Sequence, residues 1–248
     1  MSPNKRTGRK RDYVGVLSSV FAIVIGLLVG FVILLICNPS QALPGFVTIL
    51  TGAFTHGLKG VGQVFYYATP IILTGLSVGF AFKTGLFNIG TPGQFIVGAF
   101  AAVYVGIMWT GLGRIQWAVA LLAAILGGAL WGMVPGVLKA CFNVNEVIAS
   151  IMMNYIGMYM VNWIVKSYKP LFNNLRNESR NVEATAQIPK MGMDKLFPES
   201  SVGGGILLAV AAVLLIWVIL NKTTFGYELK AVGFNRDAGR YAGINEKR

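Results

Sequence analysis

Uncharged apolar runs long enough to cross a lipid bilayer recur along this chain, and nothing else constrains its fold as much. Hydrocarbon offers the backbone no water, so a spanning segment must close its own hydrogen bonds as a helix. About 20 residues at about 1.5 Å rise cover a core of about 30 Å. Six runs fit or approach this length: Val14 to Cys37, Val61 to Phe82, Phe95 to Thr110, Ile115 to Leu138, Val147 to Val165 and Gly203 to Leu220. The third is short and reaches a spanning length only by borrowing residues before it. Only 12% of the 248 residues are charged, against about 25% in soluble domains. The expected fold is an all-α integral membrane protein, a polytopic bundle of about six helices at about 14–37, 61–82, 87–110, 115–138, 147–165 and 203–220.

The first run has a basic lead-in, but its 24 apolar residues exceed the roughly 7 to 15 of a cleaved secretory core, so it reads as a retained anchor. Lys and Arg beside a span resist transfer across the membrane. Lys5, Arg6, Arg9, Lys10 and Arg11 therefore put residues 1–13 in the cytoplasm. Six crossings return residues 221–248 to that side and leave 166–202 as an external loop. The formal net charge of +12 is spread over both faces without an aromatic platform, which favours membrane lipid and not nucleic acid as its counterpart. Cys37 and Cys141 would lie near opposite faces, too far apart to bridge.

Small residues four apart let helix backbones approach in lipid, and Gly26 with Gly30, Gly75 with Gly79, and Gly128, Gly132 and Gly136 have that spacing. A polar string, Gly85 to Gln94 (GLFNIGTPGQ), separates the second and third runs. Its three glycines and Pro92 oppose a continuous helix. The string is either a cytoplasmic turn or a helix broken within the bilayer, and the residues alone leave both open. Unpaired backbone at membrane depth is tolerated only where protein or water lines it, and broken helices are where transporters place binding sites. Asn88 and Gln94 can bond a polar solute or satisfy loosened backbone. Asn145 and Glu146 have the chemistry of a helix start, with Ser150 following at helical spacing. Asn154, one to two turns further on, is expected to face the bundle interior.

Several chemistries are absent. There is no phosphate loop; the nearest string, Gly52 to Lys59, departs from the pattern at Leu58. His56 is the single histidine, so no His-based metal cluster or catalytic triad can form. The runs lack the acids from which ion-coupled carriers build relays. A transporter of this kind would need a partner as its energy source.

After the sixth run, residues 227–248 read YELKAVGFNRDAGRYAGINEKR. Tyr227 to Val232 can form a turn or two of helix, Gly233 reads as its stop, and Asn235 as the N-cap of a second short helix. Ala238, Tyr241 and Ala242 fall on one side of that helix. An amphipathic segment resting on the membrane has the same pattern.

GLFNIGTPGQ at 85–94, NEVIASIMMNY at 145–155 and ELKAVGFNRDAGRYAGI at 228–244 together resemble the permease subunits of bacterial ABC importers for simple sugars and nucleosides, within the group that includes branched-chain amino acid permeases. The nucleoside branch, served by binding lipoproteins of the basic membrane protein type, is the nearest likeness. The resemblance implies a type II importer-like permease in the bacterial cytoplasmic membrane. Its implied partners are a cytoplasmic ATP-binding cassette subunit, a second permease copy or homologue, and an extracellular substrate-binding protein. The chain itself is expected to be neither an enzyme nor a cofactor carrier, ATP being bound by the partner. By the same resemblance Glu228, Ala231, Gly233, Asn235, Ala238, Tyr241, Ala242 and Gly243 form the ATPase-coupling loop. Asn88, Gly90, Gln94, Asn145, Glu146 and Asn154 would lie near the translocation path. Two departures stand out. Thr91 and Pro92 replace the Ala-Glu common in relatives, and the relatives continue for about a hundred residues more, so the chain reads as a fragment. The rival expectation is a membrane anchor or scaffold that passes no solute.

Overall fold

The computed structural model describes residues 13–244, so the basic cluster from Lys5 to Arg11 lies outside the described residues. The described residues are mostly helical. They form two compact units, divided between Val61 and Gly62.

The first unit holds α1 (Tyr13–Cys37) and α2 (Pro39–Thr55). They pack on each other through Ala42, which is buried, and through the rings of Phe31 and Phe46, 4.8 Å apart. Helix α2 is a departure from the sequence reading, which leaves residues 38–60 between two spans. Pro39 falls in its first turn, where a missing amide costs nothing. The hydroxyls of Thr48, Thr51 and Thr55 fold back onto carbonyls four residues earlier, so the polar side chains are satisfied inside the helix.

The second unit contains α3 (Gly57–Lys83, whose first turn precedes the division), α4 (Thr91–Met108), α5 (Gln116–Phe142) and α6 (Glu146–Ser167). After a two-stranded hairpin, β1 (Phe172–Asn173) and β2 (Glu178–Ser179), come α7 (Met193–Leu196), α8 (Gly205–Lys222), α9 (Thr224–Phe234) and α10 (Arg236–Tyr241). Six of the described helices are long and apolar enough to span a membrane. The third starts at Thr91, later than the expected 87, because residues 85–90 are not helical.

Helices α4, α5 and α6 form the packed centre of this unit. A Cβ on Gly98 would lie 2.9 Å from the Ala124 carbonyl oxygen, and one on Gly128 would lie 3.3 Å from that of Gln94. Gly157 admits the indole of Trp131, whose Nε1–H donates to the Met153 carbonyl (3.2 Å). The expected glycine packing thus holds for Gly128 and Gly132. At Gly26, Gly30, Gly75, Gly79 and Gly136 a Cβ would meet nothing within 4 Å.

The long loop is tied down over one end of α4 and α5. The fully buried Gln116 donates from its amide nitrogen to the carbonyls of Val105 and Gly106 and accepts the Thr185 hydroxyl. The Glu183 amide also donates to the Gly106 oxygen (3.1 Å).

Candidate functional site

Helix α3 ends at Lys83 and is closed off by Gly85, whose φ of +74° is the left-handed conformation natural to glycine. The Leu86 amide bonds back to the Ala81 carbonyl and the Gly85 amide to that of Phe82, the paired closure of a glycine-capped helix end. Five irregular residues follow before α4 starts at Thr91.

Asn154 holds this irregular stretch against α6. Its Oδ1 accepts from the Gly93 amide and its Nδ2 donates to the Ile89 carbonyl, both at 2.9 Å. A Cβ on Gly93 would lie 2.8 Å from that Oδ1 and 2.9 Å from the Asn154 Cα, so only glycine permits the approach. Asn154 lies eight residues beyond the start of α6, about 12 Å along its axis. The stretch is therefore tied to α6 about two turns from that helix's start.

Asn88 and Gln94 face each other across the break. Each amide donates to the other's oxygen at 3.4 Å, while Asn88 Oδ1 also accepts the Gly90 amide at 2.9 Å. Gln94 is seated against Gly132, where a Cβ would stand 3.0 Å from its Nε2.

The pair opens onto a cavity of about 690 Å³. It is lined by Asn88, Gln94, Lys139, Glu146 and Ser150, and from the tail by Glu228, Val232, Gly233 and Asn235. Of the six residues expected along a path, Asn88, Gln94 and Glu146 reach the cavity. Gly90 and Asn154 are not among its lining residues and brace the break. Asn145 is exposed and accepts the Val147 and Ile148 amides as N-cap of α6. Glu146 is paired with Lys139 at 2.9 Å, with the side chains 31% and 27% exposed in the order Lys139, Glu146. A pair this solvated adds little stability, but it puts adjoining charges of opposite sign on the wall.

The tail forms a knob of two short helices. Thr223 caps α9 by accepting the Gly226 amide, and Gly226 is buried where any Cβ would strike the end of α8. Helix α9 runs past Gly233 to Phe234, so Gly233 is not the stop that the sequence predicts. A Cβ there would lie 2.7 Å from the Lys83 carbonyl oxygen and 2.9 Å from the Gly85 nitrogen; close approach explains this glycine. Asn235 is the N-cap of α10, accepting the Ala238 amide at 3.1 Å. Gly243, at φ +79°, closes that helix.

Ala231 is half-buried, whereas Ala238, Tyr241, Ala242 and Gly243 are exposed. Sequence reasoning missed Phe234, which is 90% exposed and with Tyr241, at 95%, gives the knob two bare aromatic rings. It also missed Gly239, buried against Val232 of α9. Their local signal was no stronger than that of their neighbours, since both roles depend on how the two helices fold together.

Residues 60–248 match the family model described as branched-chain amino acid transport system / permease component. The chain is similar to the guanosine ABC transporter permease protein NupP of Bacillus subtilis, at 40% identity over 92% of this chain and 64% of that protein. It is similar to the nucleoside ABC transporter permease protein NupB of Lactococcus lactis at 34% identity, over 94% of this chain and 65% of that protein. With the glucose ABC transporter permease protein TsgB13 of Haloferax volcanii it shares 32% identity, over 81% of this chain and 53% of that protein. The chain thus spans between about half and two-thirds of the length of these relatives. No solved structure matches it.

Proposed function

Because this chain belongs to the family of branched-chain amino acid transport system permease components, we propose that it is the membrane-spanning subunit of an ABC importer for a nucleoside or simple sugar. The observation that carries this reading is the cavity beside the irregular stretch between α3 and α4, lined by amides, a hydroxyl and an ion pair. Amides offer donors and acceptors to sugar hydroxyls and nucleobase edges alike. The names of the guanosine and nucleoside permeases among its relatives favour the nucleoside.

In this reading the protein is a multi-pass subunit of the bacterial cytoplasmic membrane with its N-terminus inside. It hydrolyses nothing and holds no cofactor; ATP belongs to a separate cassette subunit that grips the α9–α10 knob. A second permease, identical or homologous, completes the path. A binding protein delivers solute to the side bearing residues 166–202.

The test is ATP-dependent uptake of radiolabelled guanosine and ribose into proteoliposomes holding the assembled permease, ATPase and binding protein. Asn88→Ala with Gln94→Ala removes hydrogen bonds worth about 0.5–1.5 kcal/mol each, so uptake at low solute falls roughly tenfold while the ATPase still co-purifies. Recovery of partners that lack a phosphate loop, with no uptake, would favour a scaffold instead.

A further inference from the structure

We propose that Gly85 and Gly233 form a bare backbone crossing through which displacement of the α9–α10 knob is passed to the Asn88–Gln94 pair. This rests on the importer reading and concerns how the tail acts on the cavity. At Gly85 an added Cβ would lie 2.8 Å from the Gly233 oxygen and 2.9 Å from its Cα; at Gly233 it would lie 2.7 Å from the Lys83 oxygen and 2.8 Å from the Thr84 carbonyl carbon. Main chain therefore rests on main chain. Gly233 lies inside α9 without a positive φ, where glycine is disfavoured against alanine by about 1 kcal/mol. The crossing is the feature that needs it.

A contact between two side chains can absorb movement by changing rotamer. A backbone contact at van der Waals distance cannot, so movement of α9 by an ångström displaces residues 83–85. Three residues further on, Asn88 enters the polar cluster. The stretch beyond is pinned by Asn154 through two bonds of 2.9 Å, whereas Asn88 and Gln94 are joined by bonds of 3.4 Å. Motion entering at Gly85 is therefore taken up between Gly85 and Asn88, and it alters the longer amide pair first. Both ends of this route line the same cavity, so the knob and the solute-facing amides are mechanically one unit.

The test uses the assembled transporter and compares Gly233→Ala and Gly85→Ala with Gly75→Ala, where a Cβ meets nothing within 4 Å. A methyl forced into the crossing changes its equilibrium by roughly tenfold. The expected result is intact assembly and continued ATP hydrolysis, with solute imported per ATP reduced by about that factor in both crossing variants and unchanged in Gly75→Ala. Unaltered import per ATP in both crossing variants overturns the proposal.

A second measurement covers variants that fail to assemble. Thr84→Cys with Val232→Cys, in a chain whose Cys37 and Cys141 are replaced by Ser, is clamped with a short reducible bifunctional thiol reagent. Uptake should cease while ATP hydrolysis persists, and reduction should restore it; normal import by the clamped transporter refutes the crossing as the route. Wild-type transporter that imports no solute removes the importer reading and this inference with it. Wild type that imports while variants and clamp behave normally removes this inference alone.

Discussion

A single amide, Asn154, holds the irregular stretch between α3 and α4 against α6. Removing it frees the Gly93 amide and the Ile89 carbonyl together. Lost bonds inside membrane proteins average about 0.6 kcal/mol, but a buried group left unpaired costs about 1–3 kcal/mol, and the second term governs because Gly93 is buried. Asn154→Ala is expected to lower the thermal midpoint of the detergent-solubilised chain by several degrees. Thr91→Val should not lower it, since the Thr91 hydroxyl is buried and has no hydrogen-bond partner among the described residues. Equal midpoints for the two variants would remove Asn154 from this role. Asn154 was legible in the sequence because a polar residue inside an apolar run has few places to go. Gln116 was not: it stands at the first turn of its helix, where an amide usually meets water, and its partner Thr185 lies 69 residues away in the loop.

Helices were legible by length and composition, and their exceptions have local causes. Residues 39–55 hold two prolines and two glycines, which read as punctuation, yet Pro39 sits where a helix accepts it and threonine hydroxyls satisfy the turns beyond Pro44. The helical extension at Phe234 escaped notice because a glycine near the end of a pattern is ordinarily a stop, and only the tertiary contact with Gly85 shows its other use. Glycine spacing was ambiguous in the same way, since it marks a possible contact without saying which contacts form. Gly98→Leu is expected to force α4 from α5, because the atom facing it is a backbone oxygen that no rotamer change can move. Overpacking of about 1–3 kcal/mol corresponds to a fall in midpoint of roughly 2–12 °C for a chain of this size. Gly75→Leu, made on an open face, should leave the midpoint unchanged; a comparable loss there would show that side-chain bulk and not the α4–α5 contact is responsible.

For the molecule as a whole, the sequence led to the helical class and to the family likeness, while the arrangement of the cavity depended on contacts between segments more than a hundred residues apart. Sidedness is a property of this scale. In cells carrying the Cys37→Ser, Cys141→Ser chain, Leu175→Cys should react with a membrane-impermeant maleimide from outside, and Tyr241→Cys only after permeabilisation. Both sites are more than 90% exposed, so reagent access is not limited by burial, and the reverse pattern would invert the proposed orientation. The Gln116 clasp carries a practical consequence for chimaeras that exchange the 166–202 region between relatives. A graft lacking a hydroxyl at the Thr185 position would strand the enclosed carboxamide oxygen of its host, so a foreign version of that region can be transplanted only together with that fastening.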